Sequence, residues 1–123
     1  MSDMIEILEP DFSFSDERGF LYQLCRDGWK QVNVSQTKEG TFRGGHYHKE
    51  TKEAFFIVSG EVDLVLEKGD KMENYTFKTG DFFALLPYAC HSFTFKKDTL
   101  MVALYDKGVE KSDGAKDIFK KGE

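Results

Sequence analysis

Throughout the 123-residue chain, aromatic and β-branched residues gather in short runs, most of them closed by a glycine or a charged turn, and no apolar stripe at helical spacing interrupts them. Such residues favour a pleated, half-buried surface. The runs predict strands over 20–25, 29–36, 41–48, 54–59, 61–67, 73–78, 82–86, 91–96 and 100–105. Turn residues such as Asp16-Glu17-Arg18-Gly19, Lys38-Glu39-Gly40, Lys68-Gly69-Asp70 and Thr79-Gly80-Asp81 separate them. A strand-plus-turn period of about ten residues argues for an all-β sandwich or barrel, not for βαβ units. No repeat or boundary divides the chain. It reads as one domain, 1–123, with a core over about 12–106 and a polar tail, 107–123, expected to be loop, short helix or frayed end.

Several function classes fall away. The net charge is -5, so a surface that grips nucleic acid or an acidic membrane is not expected. The longest apolar runs, Ala54 to Val58 and Phe82 to Leu86, are far short of the roughly 20 residues of a membrane helix. The first residues lack the basic patch and apolar core of a signal peptide, so we expect a cytoplasmic protein with Cys25 and Cys90 as free thiols.

The chemistry concentrates in the only histidines, His46, His48 and His91. His46 and His48 stand at i and i+2 of one strand, so both rings share a face and Tyr47 takes the other. Glu53 opens the next strand, and His91 begins a later one. If these strands close one small barrel, three imidazoles and a carboxylate meet. That donor set suits a divalent Zn, Mn, Fe, Ni or Cu ion, with open positions for substrate. The phenylalanines at 55, 56, 82, 83, 93 and 95 are expected in the core.

The spacing resembles the cupin family. The first cupin motif runs Gly, five residues, His-x-His, three or four residues, Glu, six residues, Gly, and Gly40, His46, His48, Glu53 and Gly60 match it throughout. The second motif keeps its spacing in Gly80 and His91, with Leu86, Tyr88 and Phe95 where the family has Pro, Gly and Asn. The resemblance implies a double-stranded β-helix, or jelly-roll barrel, with the histidines inside it.

Three further resemblances narrow the function. Gln31-Val32-Asn33-Val34-Ser35 followed by Gly40-Thr41-Phe42-Arg43-Gly44-Gly45-His46-Tyr47 is similar to dTDP-4-dehydrorhamnose 3,5-epimerases. Asp16-Glu17-Arg18-Gly19-Phe20-Leu21 resembles both these epimerases and the dTDP-sugar 3,4-ketoisomerases. The ketoisomerases also show the pattern of Arg43 to Lys49, and their C-termini are echoed in Tyr105-Asp106 and Asp117-Ile118-Phe119. Cupin domains of capsular-polysaccharide UDP-sugar enzymes share the Arg-Gly-x-His-x-His pattern. The chain departs from the first two: the epimerases carry Gln at the place of His48, and the ketoisomerases usually carry Gln at that of Glu53, with Tyr at those of Asn33 and Val34.

These resemblances imply an isomerase or epimerase of a dTDP- or UDP-4-keto-6-deoxyhexose, in deoxysugar or surface-polysaccharide synthesis. They make His46 the base and His48 a second proton carrier or a metal ligand. Arg43 and Arg18 would meet the diphosphate, since a guanidinium fork matches phosphate oxygens. Gln31, Asn33 and Ser35 share a strand face that is either solvent-facing or substrate-facing. With a metal on His46, His48, Glu53 and His91, the base becomes another group, such as Tyr22, Tyr88 or Tyr105. Two other readings stay open: a metal-dependent oxygenase or other small-molecule enzyme, and a non-catalytic sugar-binding cupin. A homodimer joined through an N-terminal strand is expected from the same likeness.

Overall fold

The computed structural model describes residues 2–123. Twelve strands form: β1 (Ile5–Ile7), β2 (Phe12–Asp16), β3 (Gly19–Gln23), β4 (Gln31–Thr37), β5 (Phe42–Tyr47), β6 (Glu53–Ser59), β7 (Glu61–Lys68), β8 (Lys71–Lys78), β9 (Phe82–Leu85), β10 (Cys90–Phe95), β11 (Thr99–Tyr105) and β12 (Phe119–Lys120). Every strand expected from the sequence is present, with ends displaced by at most two residues. One antiparallel sheet runs β1-β9-β6-β11-β4 and the other β12-β5-β10-β7-β8, while β2 and β3 pair only with each other. This is the all-β, jelly-roll architecture of a cupin.

The core lies between the two five-stranded sheets. Phe55 and Ile57 of β6, Phe83 of β9 and Met101 of β11 meet Leu64 and Leu66 of β7 and Phe93 and Phe95 of β10. Each fully buried side chain of this size is worth about 1.5–3 kcal/mol. The alternate residues of the first sheet, Ala54, Phe56, Phe82 and Ala84, pack beneath Leu8, Leu24 and Trp29. Residues 54–57 are therefore buried on both sheet faces, which explains why they read as one unbroken apolar run.

Two local features place the functional strands. Gly44 has φ +148, and a Cβ there would lie 2.4 Å from Ser92 Cα. Only glycine lets β10 approach β5 so closely. The β5–β10 register shifts between His91 and Ser92, leaving His91 directly opposite His46. Tyr88, where cupins have glycine, adopts the left-handed φ of 71 that glycine takes easily. Its N–H donates to the His48 carbonyl at 2.7 Å, and its ring stacks on Tyr47 with centroids 6.1 Å apart.

The tail runs as loop from 106 through 118 and ends in a short strand. It is neither helical nor frayed at its end: β12 pairs with β5, placing Phe119 opposite Tyr47 and Lys120 opposite His46. Asp117 is one of the most buried side chains in the molecule. No helix is long and apolar enough to cross a membrane among the described residues.

Candidate active site

His46, on β5, and His48, one residue past its end, lie on one side of the strand, with Tyr47 stacked on Phe119 on the other. Glu53 opens β6 opposite Tyr105 of β11, and His91 lies on β10. These side chains converge on a cavity of about 270 Å³ between the sheets. Its apolar wall is Phe55, Phe93, Phe95, Met101 and Ala103, and its polar wall includes Asn33, Ser35, Arg43 and Tyr105.

The deepest contact is an ion pair. His48 Nε2 lies 3.0 Å from Glu53 Oε1, and His48 Nδ1 lies 2.5 Å from the Asp117 carbonyl oxygen. Both ring nitrogens face acceptors, an arrangement that favours the doubly protonated ring beside a carboxylate. Burial alone would push His48 down, but the bonds to Glu53 and to Asp117 outweigh it and raise its pKa. Burial would likewise lift Glu53, yet the His48 bond, the neighbouring imidazole charges and Tyr105 hold it below the usual carboxylate range. His91 Nε2 is 3.7 Å from the same carboxylate oxygen. Burial keeps the His91 pKa low despite Glu53, and its Nδ1 is buried without a hydrogen-bond partner among the described residues.

Tyr105 completes the group. Burial, then the charge and hydrogen bond of Glu53, push its hydroxyl up, with Asn33 opposing, so it stays protonated at neutral pH. Of Tyr22, Tyr88 and Tyr105, only the last lines the cavity. Tyr22 packs edge-on against Phe56, and Tyr88 stacks on Tyr47.

The other expected residues separate. Arg43 Nε donates to Thr37 Oγ1 at 3.1 Å, which steadies the guanidinium on the cavity wall. Asn33 and Ser35 line the cavity, Asn33 at its exposed rim. Gln31 instead ties β4 to the tail, its Oε1 accepting from Val109 N at 3.3 Å. Arg18 is not brought to this cavity: it sits in the β2–β3 turn, 80% exposed and paired with Asp16. Such a residue meets its own chain only locally, because the hairpin joins neither sheet.

For a divalent ion, the donor atoms of His48, Glu53 and His91 lie within 4.8 Å of one another. Two imidazoles and a carboxylate fit a borderline ion. His46 stands outside this group of three: its ring is half-buried on the cavity wall, 6.0 Å from the His91 ring. The four-ligand set expected from the sequence is therefore a compact trio plus a separate histidine.

Asp117 is an addition to the expected site. Its carboxylate accepts from the N–H groups of Lys49, Glu50 and Thr51 and from Thr51 Oγ1. Burial would raise its pKa, but these bonds hold it low. The Asp-Ile-Phe echo is its only sequence signal, since nothing local marks a carboxylate whose partners lie more than sixty positions away.

Comparison with known proteins agrees with the architecture. QdtA, a sugar 3,4-ketoisomerase from Thermoanaerobacterium thermosaccharolyticum in complex with TDP, superposes with a TM-score of 0.81 at 14% identity, covering 99% of this chain and 91% of that one. The WlaRB TDP-quinovose 3,4-ketoisomerase of Campylobacter jejuni gives 0.75 at 20% identity, covering 92% of each chain. The dTDP-4-dehydrorhamnose 3,5-epimerase of Sulfolobus tokodaii gives 0.66 at 18% identity, covering 82% of this chain and 74% of that one. At these identities the likeness is one of fold. No curated protein matches the chain. A family match spans residues 14–107, which hold the five strands β4, β5, β6, β10 and β11 around the cavity, and the chain thus belongs to the polysaccharide biosynthesis C-terminal domain family.

Proposed function

We propose that the protein is a nucleotide-sugar isomerase or epimerase, moving a proton next to the ketone of a dTDP- or UDP-4-keto-6-deoxyhexose. The observation that carries this reading is the cavity itself: His46, the His48–Glu53 ion pair and a protonated Tyr105 surround one space of about 270 Å³. Pockets for drug-sized ligands span roughly 300–1,000 Å³, so a single sugar ring suits this one and the nucleotide lies outside it. Arg43 stands where the diphosphate would leave the cavity. The apolar wall suits the C6 methyl group of a deoxysugar.

The chemistry follows from the ketone. His46 takes the C3 proton, and the C–H electron pair moves through the new C3–C4 double bond onto O4. The Tyr105 hydroxyl and the nearby imidazolium charge stabilise that oxygen. Return of a proton to the opposite face of C3 inverts the centre. Protonation at C4, with the O3 proton passing to O4, shifts the ketone to C3. Both outcomes balance, and the site holds the groups for either.

A divalent ion on His48, Glu53 and His91 would supply a Lewis acid for the ketone oxygen, and this is the second reading. The compact trio favours it. His46 remains outside the trio in that case and keeps its lone pair. The unpaired Cys25 and Cys90 fit a cytoplasmic enzyme.

Incubation with TDP- and UDP-4-keto-6-deoxyhexoses in deuterated water, followed by NMR, tests the proposal. Deuterium is expected at C3 for inversion or at C4 for the ketone shift. Binding of the sugars without exchange would leave a sugar-binding cupin instead, and neither binding nor exchange would reject the substrate class.

We further infer that two copies pair through the N-terminal hairpin. Every residue of β2 and β3 is exposed, including Phe12, Phe14, Phe20 and Leu21, and Val32 and Val34 point outward from the edge strand β4. A lone hairpin is marginal in water, and an apolar patch of this kind marks an interface. Sedimentation is expected to show a dimer, and the double variant Phe20→Asp, Val34→Asp a monomer. A monomeric wild-type protein contradicts the pairing.

A further inference from the structure

The C-terminal segment does more than close a sheet edge. β5, which carries His46, has β10 on one side; on its other side it would be an open edge without β12. Lys121 N donates to the Gly45 carbonyl at 2.7 Å, extending that cover. Val109 and Ile118 of the same segment form part of the cavity wall.

Asp117 joins this segment to the site in two directions. Its carboxylate takes the three successive N–H groups of residues 49–51 at 2.9, 3.0 and 2.9 Å, and the Thr51 hydroxyl at 2.7 Å. These four donors belong to the connection between His48 and Glu53. Its backbone carbonyl accepts from His48 Nδ1. Its own N–H donates to the Val109 carbonyl at 2.7 Å, which fixes the residue in its loop. The side chain thus sets the path of the loop, and the carbonyl sets the rotation of the ring. A carboxylate suits this role because it has lone pairs enough for four donors, and charge-assisted bonds to backbone N–H groups are the strong ones.

We propose that Asp117 is a positioning residue for His48, so that the C-terminal segment is an integral part of the active centre and not an appendage. It does not line the cavity, so it acts through His48 and the 48–53 loop. Partners that orient a site histidine typically contribute about 10- to 100-fold in activity. The kinetic side of this proposal rests on the isomerase reading; the structural side does not.

The test uses full-length protein labelled with 15N-histidine. In the wild type, His48 is expected to give one sharp ring signal with Nδ1 in a hydrogen-bonded N–H. In Asp117→Ala that signal should broaden or move, and kcat should fall about 10- to 100-fold with KM little changed. Asp117→Asn keeps the shape and one acceptor oxygen, so it should recover part of both readouts and remains informative if the alanine variant does not fold. Lys121→Ala loses the tail's contact with Glu67 without touching Asp117, and should leave both readouts at wild-type values. An unchanged His48 signal in a folded Asp117 variant overturns the proposal, as does an equal loss in Lys121→Ala. A displaced signal in a protein whose wild type exchanges no sugar proton sustains the positioning role and counts against the isomerase reading alone.

Discussion

Replacing Glu53 with alanine will destabilise the protein by about 3–5 kcal/mol, because it strands a buried charge. Glu53 is 5% exposed and faces His48 at 3.0 Å, His91 at 3.7 Å and the Tyr105 hydroxyl. Without it, the His48 Nε2–H has no acceptor, and burial drives the His48 pKa down. The loss will depend on pH, with a sign that follows from the shifts. His48 is raised in the folded state, so its contribution is fully present below the ordinary value of 6.5 and fades as pH rises through the folded value. Glu53 is lowered, so its contribution is present above 4.5 and fades as pH falls through its folded value. His91 is also lowered, so it contributes above 6.5 and that part is lost on acidification. Wild-type stability should therefore peak near pH 6.5, and the penalty of Glu53→Ala should be larger at mildly acidic than at alkaline pH. Urea unfolding at the two pH values measures it. A penalty below about 1 kcal/mol, or one that ignores pH, would show that the pair is not charged.

Asparagine at position 46 will abolish turnover while sparing the fold. His46 is half-buried on the cavity wall, outside the His48–Glu53–His91 trio. It is thus the site histidine whose removal leaves the buried ion pair intact. General-base catalysis contributes about 10²–10⁴-fold, and kcat should fall by that factor. Deuterium incorporation should fall with it. Stability should stay within about 1 kcal/mol of the wild type, since no buried charge is left behind. A variant that keeps turnover within about tenfold would move the base to another group on the cavity wall.

The strands are legible because their chemistry is local. Alternation and glycine turns mark β7 and β10, and the double burial of β6 shows as an unbroken apolar run. The histidine spacing carries His46, His48, Glu53 and His91 to one cavity, even though Tyr88 replaces the usual glycine. The backbone turn survives that change, held by the Tyr88 N–H on the His48 carbonyl and by stacking on Tyr47. What is not legible is whatever depends on distant partners. β1 is three residues long and β12 two, and each exists through its neighbour, β9 or β5. Asp117 looks like any solvated tail residue until the loop at 48–51 is laid against it. Arg18 matches a motif, yet the motif does not say that its hairpin pairs with neither sheet and carries the arginine on an exposed turn.

A crystal structure of the protein with a TDP-4-keto-6-deoxyhexose tests the central claim most directly. The hexose ring is expected between His46 and Tyr105, against the apolar wall of Phe55, Phe93 and Phe95, with the diphosphate at Arg43. A nucleotide sugar bound elsewhere on the molecule, with the histidine cavity unoccupied, would contradict the account.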